Sequence, residues 1–113
     1  MQAALDRAKV RFESRDAGGV LSHVSEQYRT GPMTKAEVRQ QLLAIYEIYT
    51  AVRAHVVIDA VELVDGGAWV YTTGEITGRL PLLGTWMTVL SWERELEVAR
   101  REGASWRLFG YQQ

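Results

Sequence analysis

The chain has 113 residues, no cysteine, and 13 basic against 14 acidic side chains, a formal net charge of −1. That length holds one hydrophobic core, and the missing cysteines exclude disulfides, thiolate zinc sites and thiol catalysis. The balanced charge offers no basic stripe to a phosphate backbone, so a nucleic-acid partner is not expected.

The N-terminal run MQAALDRAKVRFESRD is charged throughout and lacks the apolar centre of a signal peptide. No apolar run approaches the roughly 20 residues of a membrane span. The expectation is a cytoplasmic protein that does not enter a membrane, with removal of a leader as the alternative.

In chain order, Ala4, Leu5, Ala8 and Phe12 recur at three- and four-residue spacing and predict an amphipathic helix ending near Asp16. A short second helix, AGGVLSHV, turns Val20, Leu21 and Val24 inward and needs tertiary packing, because Gly18-Gly19 weakens it. RTGPM breaks the chain. Thr34 and Glu37 then form a T-x-x-E capping box, followed by an apolar stripe of Val38, Leu42, Ile45, Tyr46, Tyr49 and Val52.

From Arg53 the period changes. HVVIDAVELV, AWVYTTGEITGRL, TWMTVLSWERELEV and SWRLFGYQQ read as four long antiparallel strands joined by hairpins, the first at the DGG of 65–67. Helices grouped before a meander imply an α+β domain over residues 1–113: three helices on a strongly bent four-stranded sheet, with room for a short edge strand.

Pairing Glu97 with Arg107 gathers Leu90, Leu96, Val98, Trp106 and Leu108 on one face and sends Glu93, Glu95 and Glu97 to the other. On this register Trp86, Trp92 and Arg94 share the apolar face. Ile58, Val61 and Leu63 share a face only if a bulge lies near Asp59-Ala60. The outer face carries Trp69, Tyr71, Met87 and Val89, too apolar for open water, which predicts a homodimer through that face.

This order of elements, with VSEQY at the elbow, TKAEVRQQL opening the third helix, IDAVELVDGGAWV and the closing SWRLF, resembles the nuclear transport factor 2-like superfamily. Its relatives include SnoaL-like and ketosteroid isomerase-like proteins, and the resemblance spans nearly the whole chain. It rests on packing and turn features rather than a catalytic motif. What it implies is a cone, with helices closing one end of a bent sheet around a pocket.

His23 and Tyr28 sit where the short helix ends, and a structural role as the elbow outweighs a role in catalysis. Asp59 is the only strand carboxylate that a bulge could turn inward, and a surface position is the simpler reading. Arg94, on the predicted inner face, needs a partner: an anionic ligand, an acid such as Asp59, or water at the open end. Tyr46, Tyr49, Trp86, Trp92 and Trp106 would line or fill the cone.

Two histidines without cysteine do not suggest a metal site, and no cofactor is implied. Two functions follow. The first is a non-catalytic, dimeric protein binding a small apolar or anionic molecule in an aromatic pocket contacted by Tyr28, Tyr46, Tyr49, Trp86, Trp92, Arg94 and Trp106. The alternative is a small isomerase, dehydratase or lyase using Asp59 or His23 as base, with Tyr28 or Tyr46 as donor.

Overall fold

The computed structural model describes residues 1–110. Helix α1 runs Gln2–Glu13 and ends three residues short of Asp16, because Arg15 takes a left-handed backbone (φ 64°). Asp16 instead starts α2, Ala17–Leu21, where its carboxylate accepts the Gly19 N–H at 2.9 Å.

A two-residue hairpin, β1 (Arg29–Thr30) with β2 (Met33–Thr34), leads into α3, Lys35–Ile48. The predicted capping box is present: the Glu37 carboxylate accepts the Thr34 backbone N–H at 3.0 Å and also its hydroxyl. The helical stripe stops at Ile48. Tyr49 is already extended (φ −107°, ψ 139°), and Val52 belongs to the following strand.

Four strands follow in sequential antiparallel order: β3 (Ala51–Val64), β4 (Gly67–Arg79), β5 (Trp86–Glu102) and β6 (Ser105–Leu108). The β3–β4 turn is Asp65-Gly66, with Gly66 at φ 77°, a conformation glycine adopts without side-chain strain. The sheet curls as a half-barrel beside the helices, giving the expected α+β class. The expected last strand is shorter, and residues 111–113 of it lie outside the described residues. Among the described residues no strand is added at the edge of the four-stranded sheet. Val24 makes only a single parallel bridge to Leu108.

One core cluster, Phe12, Leu21, Leu42, Tyr46 and Val52, joins all three helices to β3. Each large apolar side chain buried there contributes about 1.5–3 kcal/mol. Tyr46 belongs to this cluster, its ring 5.8 Å from that of Phe12 and its hydroxyl donating to the Phe12 carbonyl at 2.8 Å. A second cluster gathers Ala68, Val70 and Ala99, with Ile58 and Trp106 against it.

Bulges decide which residues face inward. In β3 the register shifts between Ile58 and Ala60, as expected, which keeps Val61 opposite the buried Val70 and Leu63 opposite Ala68. A second shift places both Glu93 and Arg94 against Thr73, and Arg94 takes φ 45°. A third leaves Val89 unpaired between Thr88 and Leu90.

The predicted pairing of Glu97 with Arg107 is therefore wrong. Ala99 pairs with Leu108 and Arg100 with Arg107, a three-residue offset that inverts the faces. Leu96 and Val98 lie on the outer face, opposite Tyr71 and Trp69, while Glu95 and Glu97 turn inward.

Candidate functional site

Helix α1 and the inner face of the sheet enclose a cavity of about 320 Å³. Ala4, Leu5 and Ala8 form its helical wall, and Ile58, Val70, Leu90 and Ala99 supply most of the sheet wall. Trp92 and Trp106 add two indole surfaces. Trp92 is fixed twice: its Nε1 donates to Thr72 Oγ1 at 2.9 Å, and its ring lies against Gly74. A Cβ at Gly74 would stand 2.5 Å from Trp92 Cζ2, so that ring position requires glycine.

The polar residues at this apolar wall are few: Thr72, His23, Glu95, Glu97 and Arg107. Glu95 is exposed, at the mouth. Glu97 lies deeper. Its Oε2 is buried and has no hydrogen-bond partner among the described residues. Burial, with the charge of Glu95 as a second cause, pushes its carboxyl up to about 7. Half of it is ionised near neutrality.

His23 reaches the cavity from the elbow. Burial lowers its pKa first, and the nearby arginines Arg7, Arg107 and Arg11 lower it further, so the imidazole is neutral at pH 7. The elbow is bonded to β6 through its backbone: Leu108 N–H donates to His23 O and Ser25 N–H donates to Leu108 O, both at 2.8 Å. Ser25, 1% exposed, donates its hydroxyl to Glu102 at 2.8 Å and accepts the Gln27 N–H at 3.1 Å.

Tyr28 is buried in that elbow and does not line the cavity. Burial raises its pKa, the Thr30 hydroxyl bonded to it opposes the rise, and the charge of Glu97 adds to it. The segment is thus an elbow that also delivers one imidazole to the cavity. No group of three or more His, Asp or Glu side chains able to hold a metal occurs among the described residues.

The same architecture recurs in solved structures. A conserved protein from Planctomyces limnophilus superposes with a TM-score of 0.80 at 15% identity, covering 96% of this chain and 88% of that one. A ketosteroid isomerase-like protein from Erwinia carotovora atroseptica gives 0.68 at 18% identity, covering 96% and 88%. A candidate dehydratase of the NTF2-like family from Streptomyces avermitilis gives 0.71 at 15% identity, covering 96% and 89%.

The chain has the nuclear transport factor 2-like fold. No family model matches its sequence, and no curated protein does.

Within this NTF2-like cone the predicted site residues separate. Trp92, Trp106 and His23 meet at the cavity as one set. Tyr46 and Tyr49 do not reach it: α3 turns its apolar stripe toward α1 and β3, and the Tyr49 ring covers Gly78. Trp86 pairs with Arg79 on the outer face, where the Arg53 guanidinium lies 3.9 Å from its ring centre.

Asp59 stays exposed at its bulge and accepts the Thr73 hydroxyl at 2.6 Å. Arg94 is also exposed, over the Tyr71 ring at 5.6 Å, and not on the inner face. Its bulge removes it from the Trp92 side of the sheet.

Glu95 and Glu97 are the inward carboxylates that the assumed register concealed. A usable signal was present in the cross-strand partners. The outer residues Trp69 and Tyr71 need apolar neighbours on β5, and Val98 and Leu96 supply them only if Glu97 points in.

Proposed function

We propose that the protein binds a small, mostly apolar molecule in the cone and moves a proton on it with Glu97. The observation that carries this reading is one carboxylate oxygen, Glu97 Oε2, buried without a partner in an aromatic-walled cavity. A buried carboxylate costs free energy to keep ionised, and a base that titrates near the working pH is suited to proton transfer. The fold neighbours named ketosteroid isomerase-like and dehydratase support a reaction of this class.

In the proposed step, ionised Glu97 takes a proton from a carbon next to an electron-withdrawing group. The C–H bond breaks, the carboxyl O–H forms, and the electron pair moves into that group. Return of the proton elsewhere gives an isomerisation, and loss of a leaving group gives an elimination. Neutral His23 borders the same space and can give or accept a hydrogen bond there. Ligand binding without reaction, the simpler reading of the sequence, rested on the aromatic cone and on the absence of an inward acid–base pair; Glu95 and Glu97 at the cavity remove the second of these supports.

The test uses 5-nitrobenzisoxazole, a flat apolar probe that opens to a coloured phenolate once a base removes its ring C–H. The protein is expected to open it at a rate rising through pH 7. Glu97→Gln lowers that rate about 100-fold or to the buffer background. Equal rates for the two proteins would refute the role given to Glu97.

A second copy of the chain is the proposed occupant of the outer sheet face. Trp69 is 40% and Val57 48% exposed there, with Tyr71 and Trp86 on the same side. Met87, by contrast, pairs with Gly78 on the helix-facing side, and Val89 is the bulged residue.

A further inference from the structure

We propose that the molecule taken by the cone is an organic acid, an apolar body whose carboxylate is held by the Nε edge of Arg107. The proposal rests on the reading of the cone as a small-molecule site with Glu97 as its base, and it names the chemical class of the substrate.

Arg107 borders the cavity, and its Nε is buried with no hydrogen-bond partner among the described residues. Its Nη1 lies 3.5 Å from Glu102 Oε1, and this is the one hydrogen bond its side chain makes there. A guanidinium meets a carboxylate through two parallel N–H bonds along one edge. With Nη1 given to Glu102, the edge of Nε and Nη2 is left without an acceptor. A buried N–H on a charged group is costly to leave unpaired, so an acceptor is expected at that edge.

The surrounding charge is positive. Arg100 stands directly opposite Arg107 in the β5–β6 ladder, and like charges so placed repel. Glu102 is the carboxylate paired with both, 3.0 Å from Arg100 and 3.5 Å from Arg107. One negative charge against two positive ones leaves an excess beside the cavity. His23 reports the same sign: after burial, the groups that lower its pKa are Arg7, Arg107 and Arg11, with no acid among them. Its neutral imidazole borders the cavity without a side-chain hydrogen bond among the described residues, and its ring N–H can donate to the same anion. Met1 also borders this space, and a charged amino group there has the same sign.

The acidic residues occupy another part of the lining. Glu97 is acted on by Glu95 and not by Arg107. Arg107 pairs with Arg100, three residues along β5 from Glu97, about 10 Å at the usual rise of a strand. The cavity thus has a cationic end at Arg107 and His23 and an acidic end at Glu97 and Glu95. A ligand held at the first by its carboxylate presents its carbon skeleton to Glu97 several bonds away. The carboxylate is an anchor and not the group that receives the electron pair.

The wall between the two ends decides what carries the anion. Leu5, Ile58, Val70, Trp92 and Trp106 make it apolar. Inorganic phosphate or sulfate would lose its water there with few donors to replace it. A carboxylate on a hydrocarbon body has only two oxygens to satisfy, which the Arg107 edge meets while the body covers the wall. The anionic ligand expected at Arg94 is therefore assigned to Arg107, since Arg94 is exposed over Tyr71.

The test compares 3-phenylpropionate with 3-phenylpropanol, which share one apolar body and differ in charge, by tryptophan fluorescence titration at pH 7.5. The acid is expected to bind about tenfold more tightly. Arg107→Gln should remove that preference while still binding the alcohol, and Arg39→Gln, which deletes the same charge from the exposed side of α3, should keep it. A second readout uses proton NMR of His55→Gln, in which His23 is the remaining histidine. The acid should raise the His23 titration midpoint and the alcohol should not, because a neighbouring carboxylate favours imidazolium. If Arg107→Gln loses the alcohol as well, its cavity has changed and the His23 titration decides. Equal affinities in the wild type, a preference that survives Arg107→Gln, a His23 midpoint unmoved by the acid, or no saturable response to either probe would overturn the proposal.

The two readings fail separately. If Glu97→Gln stops benzisoxazole opening but the wild type does not prefer the acid, only the carboxylate proposal falls. If the acid preference holds and depends on Arg107 while Glu97→Gln opens the probe normally, only the proton-transfer reading falls.

Discussion

The backbone N–H of Arg94 donates to Thr73 Oγ1 at 3.0 Å, and this one bond ties down the bulge that turns Glu95 and Glu97 into the cavity. The same hydroxyl donates to Asp59 at 2.6 Å, so Thr73 bridges bulges on both neighbouring strands. One side chain holds the register on which the site depends.

Thr73→Val keeps the shape and removes both bonds. It should cost about 1–3 kcal/mol in chemical denaturation, since the Arg94 N–H loses its partner. Benzisoxazole opening should fall as well, because the inward set of β5 is less firmly held. Arg94→Gly, which suits φ 45°, should leave stability within about 1 kcal/mol of wild type, whereas Arg94→Val should lower it further. Equal behaviour of those two variants would show that the bulge backbone is not strained.

Arg94 is also where legibility ended. The Thr34–Glu37 cap and the Asp65-Gly66 turn each announce themselves by a residue type whose local chemistry demands that structure, and the Asp59-Ala60 bulge by the spacing of Ile58, Val61 and Leu63, which share a face only across it. Trp92 and Trp106 were also found on the inner face, Trp92 because it precedes the bulge and Trp106 because β6 carries none. The run WERELEV contains no glycine, proline or asparagine to mark an inserted residue, so strict alternation sent Glu95 and Glu97 outward. Tyr46 and Tyr49 failed for another reason. A helical stripe shows that a face is buried but not against which layer, and α3 buries its stripe on α1 and β3.

Stability should depend on pH through Glu97. Its folded pKa of about 7 lies above the unfolded value of 4.5, so the folded state binds more proton between those limits. Stability therefore falls as pH rises from about 4.5 to 7, by up to about 3 kcal/mol, and the loss is complete above that range. Glu97→Gln carries no such charge. Thermal unfolding should show its advantage over wild type widening from pH 5 to pH 8. A constant difference across that range would mean that Glu97 is not buried as described.

The outer face predicts an oligomer. Light scattering after gel filtration should give twice the mass of the chain, and Trp69→Lys should shift the population toward the monomer by placing a charge in the contact. A wild-type protein that is monomeric at micromolar and higher concentrations would remove the proposed partner for Trp69, Tyr71 and Trp86.

The central claim is the protonation state of one buried carboxyl, and carbon-13 NMR titration of the glutamate side chains measures it directly. The Glu97 signal, assigned by its loss in Glu97→Gln, should titrate with a midpoint near 7. It should also respond when a small apolar molecule enters the cavity. A midpoint near the ordinary 4.5 would place Glu97 in water, and with it would go both the base and the pocket built around it.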